Sequence, residues 1–189
     1  ESTDFTSPPE VSQEVIERIK LLAKLATRLR TKVAKDKYEG MIARPVSESP
    51  TRFALTLMTI AKSLMWVKQE TTVTDDIYET LQKVAFDSCP GLAFEVVNYI
   101  HRMKECSQAT LVAKLKIPKA RVHQILTDFS HLDILEKAKT HNGSGKGRDA
   151  FLYQLTANIQ DCLDNAHSKP SRFKNVPKKK SKFKNIPKR

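Results

Sequence analysis

The side chains best equipped for chemistry lie between residues 119 and 148. Val122, Ile125, Leu126 and Phe129 recur at helical spacing behind Pro118, which marks a helix start and a core-facing stripe. The opposite face of that helix carries Lys119, Ala120, His123, Gln124 and Thr127, with Arg121 at its edge. These types suit a polyanion. Arginine and glutamine make paired hydrogen bonds to base edges, and lysine meets phosphate oxygens. The small Ala120 permits close approach. Downstream, Lys137, Lys139, Lys146 and Arg148 flank the run Asn142-Gly143-Ser144-Gly145-Lys146-Gly147, against Glu136 and Asp149. Glycines let such a tip follow a groove while the cations hold phosphates.

Other chemistries find no support. His101, His123, His131, His141 and His167 make no ligand spacing with Cys89, Cys106 and Cys162, so no metal site is expected. Three cysteines without a Cys-x-x-Cys pair read as reduced thiols of an intracellular protein of the cytoplasm, nucleoid or nucleus. Asp75-Asp76 reads as a helix start rather than a catalytic carboxylate pair. Neither a nucleophile elbow nor a His-Glu-x-x-His string occurs. Gly145-Lys146 lacks the rest of a phosphate loop: Thr140 stands where the first glycine belongs, and Gly147 where a magnesium-holding hydroxyl belongs. The chain is therefore read as non-enzymatic, with no cofactor of its own. No apolar run approaches 18 residues, so no membrane span is expected.

The formal charge of +12 is unevenly placed. Ten of the 33 basic residues and no acidic one fall between 169 and 189, leaving 23 basic against 21 acidic residues before them. That tail is a repeat: Ser171-Arg172-Phe173-Lys174-Asn175-Val176-Pro177-Lys178 returns as Ser181-Lys182-Phe183-Lys184-Asn185-Ile186-Pro187-Lys188. With so few apolar residues it is expected to be disordered. Arg172, Lys174, Lys182 and Lys184 suit phosphates, and Phe173 and Phe183 suit stacking on bases.

The first half reads as three helices. Apolar residues from Val11 to Val33 predict one helix over about 9–35, followed by a loop over 36–49. Ser49-Pro50 opens a second, with the stripe Phe53, Leu57, Ile60, Ala61, Leu64 and Val67, and with Trp66 on its rim packing between the two halves. Thr74 or Asp75 caps a third, which carries Ile77, Tyr78, Leu81, Val84, Ala85 and Phe86.

Ser49-Pro50-Thr51-Arg52, Ala61 and Val73-Thr74-Asp75-Asp76-Ile77 resemble the C-terminal lid of AAA+ ATPases, in the branch of the minichromosome maintenance helicases and MoxR-like ATPases. The resemblance implies that Arg52 is a second-sensor arginine reaching a nucleotide's terminal phosphate. ATP and magnesium would then belong to a nucleotide-binding core and oligomer partners outside this chain.

From Leu92 the expected order is helix, helix, helix, hairpin. Leu92, Val96, Val97, Ile100 and Met103 mark the first helix, and Ser107 caps the second. The third follows Pro118, and strands over 134–139 and around Phe151, Tyr153 and Leu155 close the hairpin. The phrase from Ser107 through Pro118-Lys119-Ala120-Arg121-Val122-His123 to Leu132 and Leu135 resembles a winged helix-turn-helix domain. That resemblance implies DNA binding through the third helix and the wing.

The expected fold is mainly α: a lid-like helical bundle over 1–89, a winged-helix domain with a small β-hairpin over 90–160 and a disordered basic tail over 161–189. The function expected is that of a DNA-binding C-terminal region of a replicative-helicase-like ATPase. Two alternatives stand beside it: a stand-alone winged-helix transcription regulator with a helical dimerisation domain, and a protein-interaction module.

Overall fold

The computed structural model describes residues 9–38, 40–140 and 150–167. Among them are seven helices: α1 Gln13–Arg30, α2 Pro50–Lys68, α3 Asp75–Asp87, α4 Gly91–Met103, α5 Gln108–Leu115, α6 Lys119–His131 and α7 Ala157–His167. Three strands, β1 Glu105–Ser107, β2 Leu135–Thr140 and β3 Ala150–Leu155, form one antiparallel sheet in the order β1-β3-β2. The mainly helical expectation holds, with a small three-stranded sheet in place of a lone hairpin.

Ser12 caps α1 by accepting a bond from the Val15 N–H at 3.5 Å, and Arg28 and Arg30 sit at its negative end. The helix is shorter than the 9–35 expected. Thr31 is already extended, at φ −66° and ψ 129°, and its hydroxyl donates back to the Thr27 carbonyl at 2.8 Å. Beyond it the chain makes a small hairpin that the periodicity did not signal. Lys35 bridges Met41, Ile42 N–H donates to the Ala34 carbonyl at 3.0 Å, and the Asp36 carboxylate accepts the Tyr38 and Gly40 N–H groups, each at 2.8 Å. An aspartate that satisfies two backbone donors offers the chain a turn that competes with further helix.

α2 opens at Pro50 as expected, but its buried face is Phe53, Ala54, Leu57, Ala61 and Met65. The helix is rotated from the expected stripe: Ile60 and Leu64 are half-buried and Val67 is 78% exposed. Ala54 and Ala61 are small enough to let the helix lie close against α1 and α3, and that contact sets the rotation. Trp66 is 48% exposed rather than packed between two halves. In α4 the buried face is Ala93, Val96, Val97 and Ile100, while Leu92 and Met103, both expected inside, stay exposed.

The core is continuous from Val15 to Ala166. α1 lies at its centre, buried on several sides, and packs against α2, α3 and α7. The tail boundary expected at residue 161 therefore falls inside a helix, in a stretch whose residues 158–165 also read as a short helix in the sequence. Ile159, Cys162, Leu163 and Ala166 are buried, and α7 runs to His167. Its C-terminal carbonyls are held by other helices. Arg18 Nη2 donates to the Asn165 carbonyl at 3.5 Å, and Gln82 Nε2 donates to the Ala166 carbonyl. His101 Nε2 pairs with Asp164 Oδ1 at 2.8 Å and ties α4 to the same helix.

Candidate nucleic-acid interface

The α5–α6 pair fixes the candidate site. Ser107 caps α5 by accepting the Thr110 N–H at 3.2 Å. Lys116 then takes a left-handed conformation, φ 55°, that ends α5 and reverses the chain. Ile117 is buried beneath the turn, and Pro118 leads into α6. Gln108 Nε2 reaches across from α5 to the Lys119 carbonyl at 3.2 Å, which locks the first turn of α6 against its neighbour.

The inner face of α6 is Val122, Ile125, Leu126 and Phe129, as the spacing predicts. Lys119, Ala120, Arg121, His123 and Gln124 are all exposed on the outer side. Thr127 is half-buried, and its hydroxyl donates to the His123 carbonyl at 2.9 Å, so it points along the helix rather than outward. Arg121 Nη1 donates to Gln124 Oε1 at 2.7 Å. The two expected base readers are therefore joined, and what they offer outward is chiefly N–H groups.

The sheet carries a further candidate, Lys137. β2 pairs with β3 from Leu135↔Leu155 to Thr140↔Ala150, and β1 pairs with the other edge of β3 through Cys106↔Tyr153. Lys137 on β2 is exposed, its ammonium 3.8 Å from the centroid of the Phe151 ring across the ladder. That contact steadies a long cation on the strand surface. Lys139 pairs its backbone with Phe151, but its side chain lies outside the described residues, as do all of Lys146 and Arg148. Arg172, Phe173, Lys174, Lys182, Phe183 and Lys184 also lie outside them. Arg52 is exposed in the first turn of α2, a part of the chain separate in sequence from the α5–α6 turn.

Searches against family models, curated proteins and solved structures find no match to this chain.

Among the described residues no three His, Cys, Asp or Glu side chains gather as a metal site, and no helix is long and apolar enough to cross a membrane. Cys89, Cys106 and Cys162 are free and buried. Burial pushes the thiols of Cys89 and Cys106 up to about 11, so they are neutral, poorly nucleophilic groups. Asp75 and Asp76 start α3 as expected. Asp76 bonds Lys68 and Thr74, which hold its carboxyl below the usual range.

The sequence reading missed three contributors. β1 is too short for alternation to reveal, and its only sign is buried Cys106 beside exposed Glu105. Gln108 carries no sequence signal that sets it apart from any polar residue in a first helical turn. Lys35, 13% exposed, pairs with Asp128 of α6 at 2.7 Å from a segment read as the end of the first helix.

Proposed function

We propose that this chain is a DNA-binding module in which α5 and α6 act as a helix-turn-helix and β2–β3 as its wing. The observation that carries the reading is the chain order α4-β1-α5-α6-β2-β3 with sheet order β1-β3-β2. In that order a helix-turn-helix is followed by a β-hairpin, and both the outer face of α6 and Lys137 of β2 are exposed. α6 enters the major groove with Lys119 on a phosphate and Arg121 and Gln124 at base edges. Because Arg121 occupies Gln124 Oε1, the pair presents mainly donors. Donors match the N7 and O6 acceptors of guanine. The basic tail adds sequence-independent phosphate affinity.

We further propose that the module belongs to an AAA+ helicase-like protein. Arg52, exposed at the start of α2, offers its guanidinium to the phosphates of ATP held with magnesium on a core outside the chain. The chain itself performs no catalysis in this reading. A stand-alone regulator would use the same α6 surface on DNA.

Fluorescence anisotropy with a labelled duplex over a range of salt tests the DNA reading. With ~6 phosphate contacts the slope of log affinity against log salt is roughly −5. Removing residues 169–189 lowers the slope but leaves binding. A flat response, or binding that resides wholly in the tail, overturns the reading.

A further inference from the structure

The segment between α1 and α2 is unusual in what it exposes. Tyr38 is 78% exposed, Met41 44%, Ile42 67% and Val46 90%. Large apolar side chains grouped on one surface segment mark a contact site more often than a plain solvent face. The segment is also cationic. Residues 32–44 hold Lys32, Lys35, Lys37 and Arg44 against Asp36 and Glu39. Its geometry is set internally: the Lys35–Met41 bridge and the two N–H groups on Asp36 fix the hairpin, and the Lys37 ammonium stands 4.9 Å from the Tyr38 ring centroid.

The hairpin is also tied to the candidate interface. Lys35 pairs with Asp128 on α6 at 2.7 Å, with both side chains largely covered. Asp128 lies one helical turn beyond Gln124 and two beyond Arg121, on the same flank of α6. The hairpin therefore stands beside the C-terminal half of the helix whose first half carries Lys119, Arg121 and Gln124. A nucleic acid that lies on α6 and runs on toward its C-terminal end would meet the side of the helix to which Lys35 ties the hairpin.

We propose that the hairpin is a second nucleic-acid contact, with Tyr38 stacking on an unpaired base and Lys37 and Arg44 meeting the flanking phosphates. The ligand class is a duplex with a single-stranded extension. The aromatic face selects an unpaired base because a base inside a duplex is already stacked. A purely phosphate-binding loop would need only the cations, whereas this one holds an aromatic ring outward beside a cation and pins the loop to α6. The proposal rests on α6 as the duplex-binding helix.

Anisotropy with two DNA probes, a blunt duplex and the same duplex with a single-stranded thymidine extension, separates the two ideas. The wild-type chain is expected to bind the extended probe more tightly. Tyr38→Ala removes that preference, roughly 5- to 150-fold, and leaves the blunt affinity unchanged, while Tyr38→Phe retains it. Arg121→Ala weakens both probes. Equal binding of the two probes by wild type, or an unchanged preference in Tyr38→Ala, overturns the hairpin contact and leaves the α6 reading standing. Unchanged blunt-duplex binding by Arg121→Ala overturns the α6 reading instead. Sedimentation of the free protein covers the rival occupant: if Tyr38→Ala abolishes self-association and alters neither probe, the hairpin binds protein and the proposal falls.

Discussion

Lys35 and Asp128 join the connection after α1 to the C-terminal half of α6, with 2.7 Å between ammonium and carboxylate and 13% and 28% of their side chains exposed. A pair this sheltered is screened less than a surface pair, and removing one member strands the other. Lys35→Met and Asp128→Asn are each expected to lower stability by about 1–2 kcal/mol, and the double variant to lose less than the sum. Urea unfolding of the four proteins measures this. Strict additivity would show that the pair contributes nothing.

Arg18 supports the end of α7. Its guanidinium lies 4.1 Å from the Tyr78 ring centroid, and Nη2 reaches the Asn165 carbonyl. Arg18 is 8% exposed, so truncation removes packing as well as a donor for a helix C-terminus. Arg18→Ala is expected to cost about 2–3 kcal/mol and to speed proteolysis within 157–167. Limited digestion read by mass spectrometry, with thermal unfolding alongside, checks both.

The buried thiols give a pH dependence whose sign follows from linkage. Cys89 and Cys106 are held near 11 in the fold by burial, whereas in the unfolded chain they ionise at the ordinary thiol value of 9.0. Between these values the unfolded state has lost protons that the folded state keeps. Their contribution to stability is therefore complete below pH 9 and declines as pH rises toward 11. Chemical denaturation across that range should show the decline, and Cys89→Ala should reduce its steepness. At pH 8 both thiols should resist iodoacetamide until denaturant is added.

Much of this architecture was legible because its elements carry their own signals. Pro50 at the head of α2 and Pro118 at the head of α6 each place a boundary by local chemistry, and the Val122–Phe129 face of α6 follows from spacing alone. The misses come from contacts made far away in sequence. α2 turns Val67 outward and Met65 inward because of how it meets α1 and α3; apolar residues cover all of the helix but the strip Arg52, Thr56, Thr59 and Ser63, so spacing fixes its inner face only loosely. β1 exists only because β3, some fifty residues later, supplies its partner. The bridge between Lys35 and Met41 falls across the expected boundary between helix and loop, and a single bridge with its aspartate turn leaves no alternation to read. At the candidate site the side-chain types on α6 were readable, but the Arg121–Gln124 bond and the Lys35–Asp128 tie needed geometry.

The Arg121–Gln124 pair makes a claim about base preference. With Oε1 of Gln124 held at 2.7 Å by Arg121, duplexes with guanine at the contacted step should bind more tightly than those with adenine. Selection from a randomised duplex pool checks this. Arg121→Ala, which frees Gln124 Oε1 to pair with adenine, should shift the preference at that step from guanine toward adenine, and wild-type enrichment indifferent to guanine would remove base reading from the account.

The central claim, that the outer face of α6 holds DNA, is tested most directly by the affinity of Lys119→Ala/Arg121→Ala for a blunt duplex. Lys62→Ala, an exposed residue of α2, serves as control. The double variant is expected to bind roughly 10- to 100-fold more weakly, with circular dichroism unchanged and the control like wild type. Equal loss in the control, or wild-type affinity in the double variant, would contradict it.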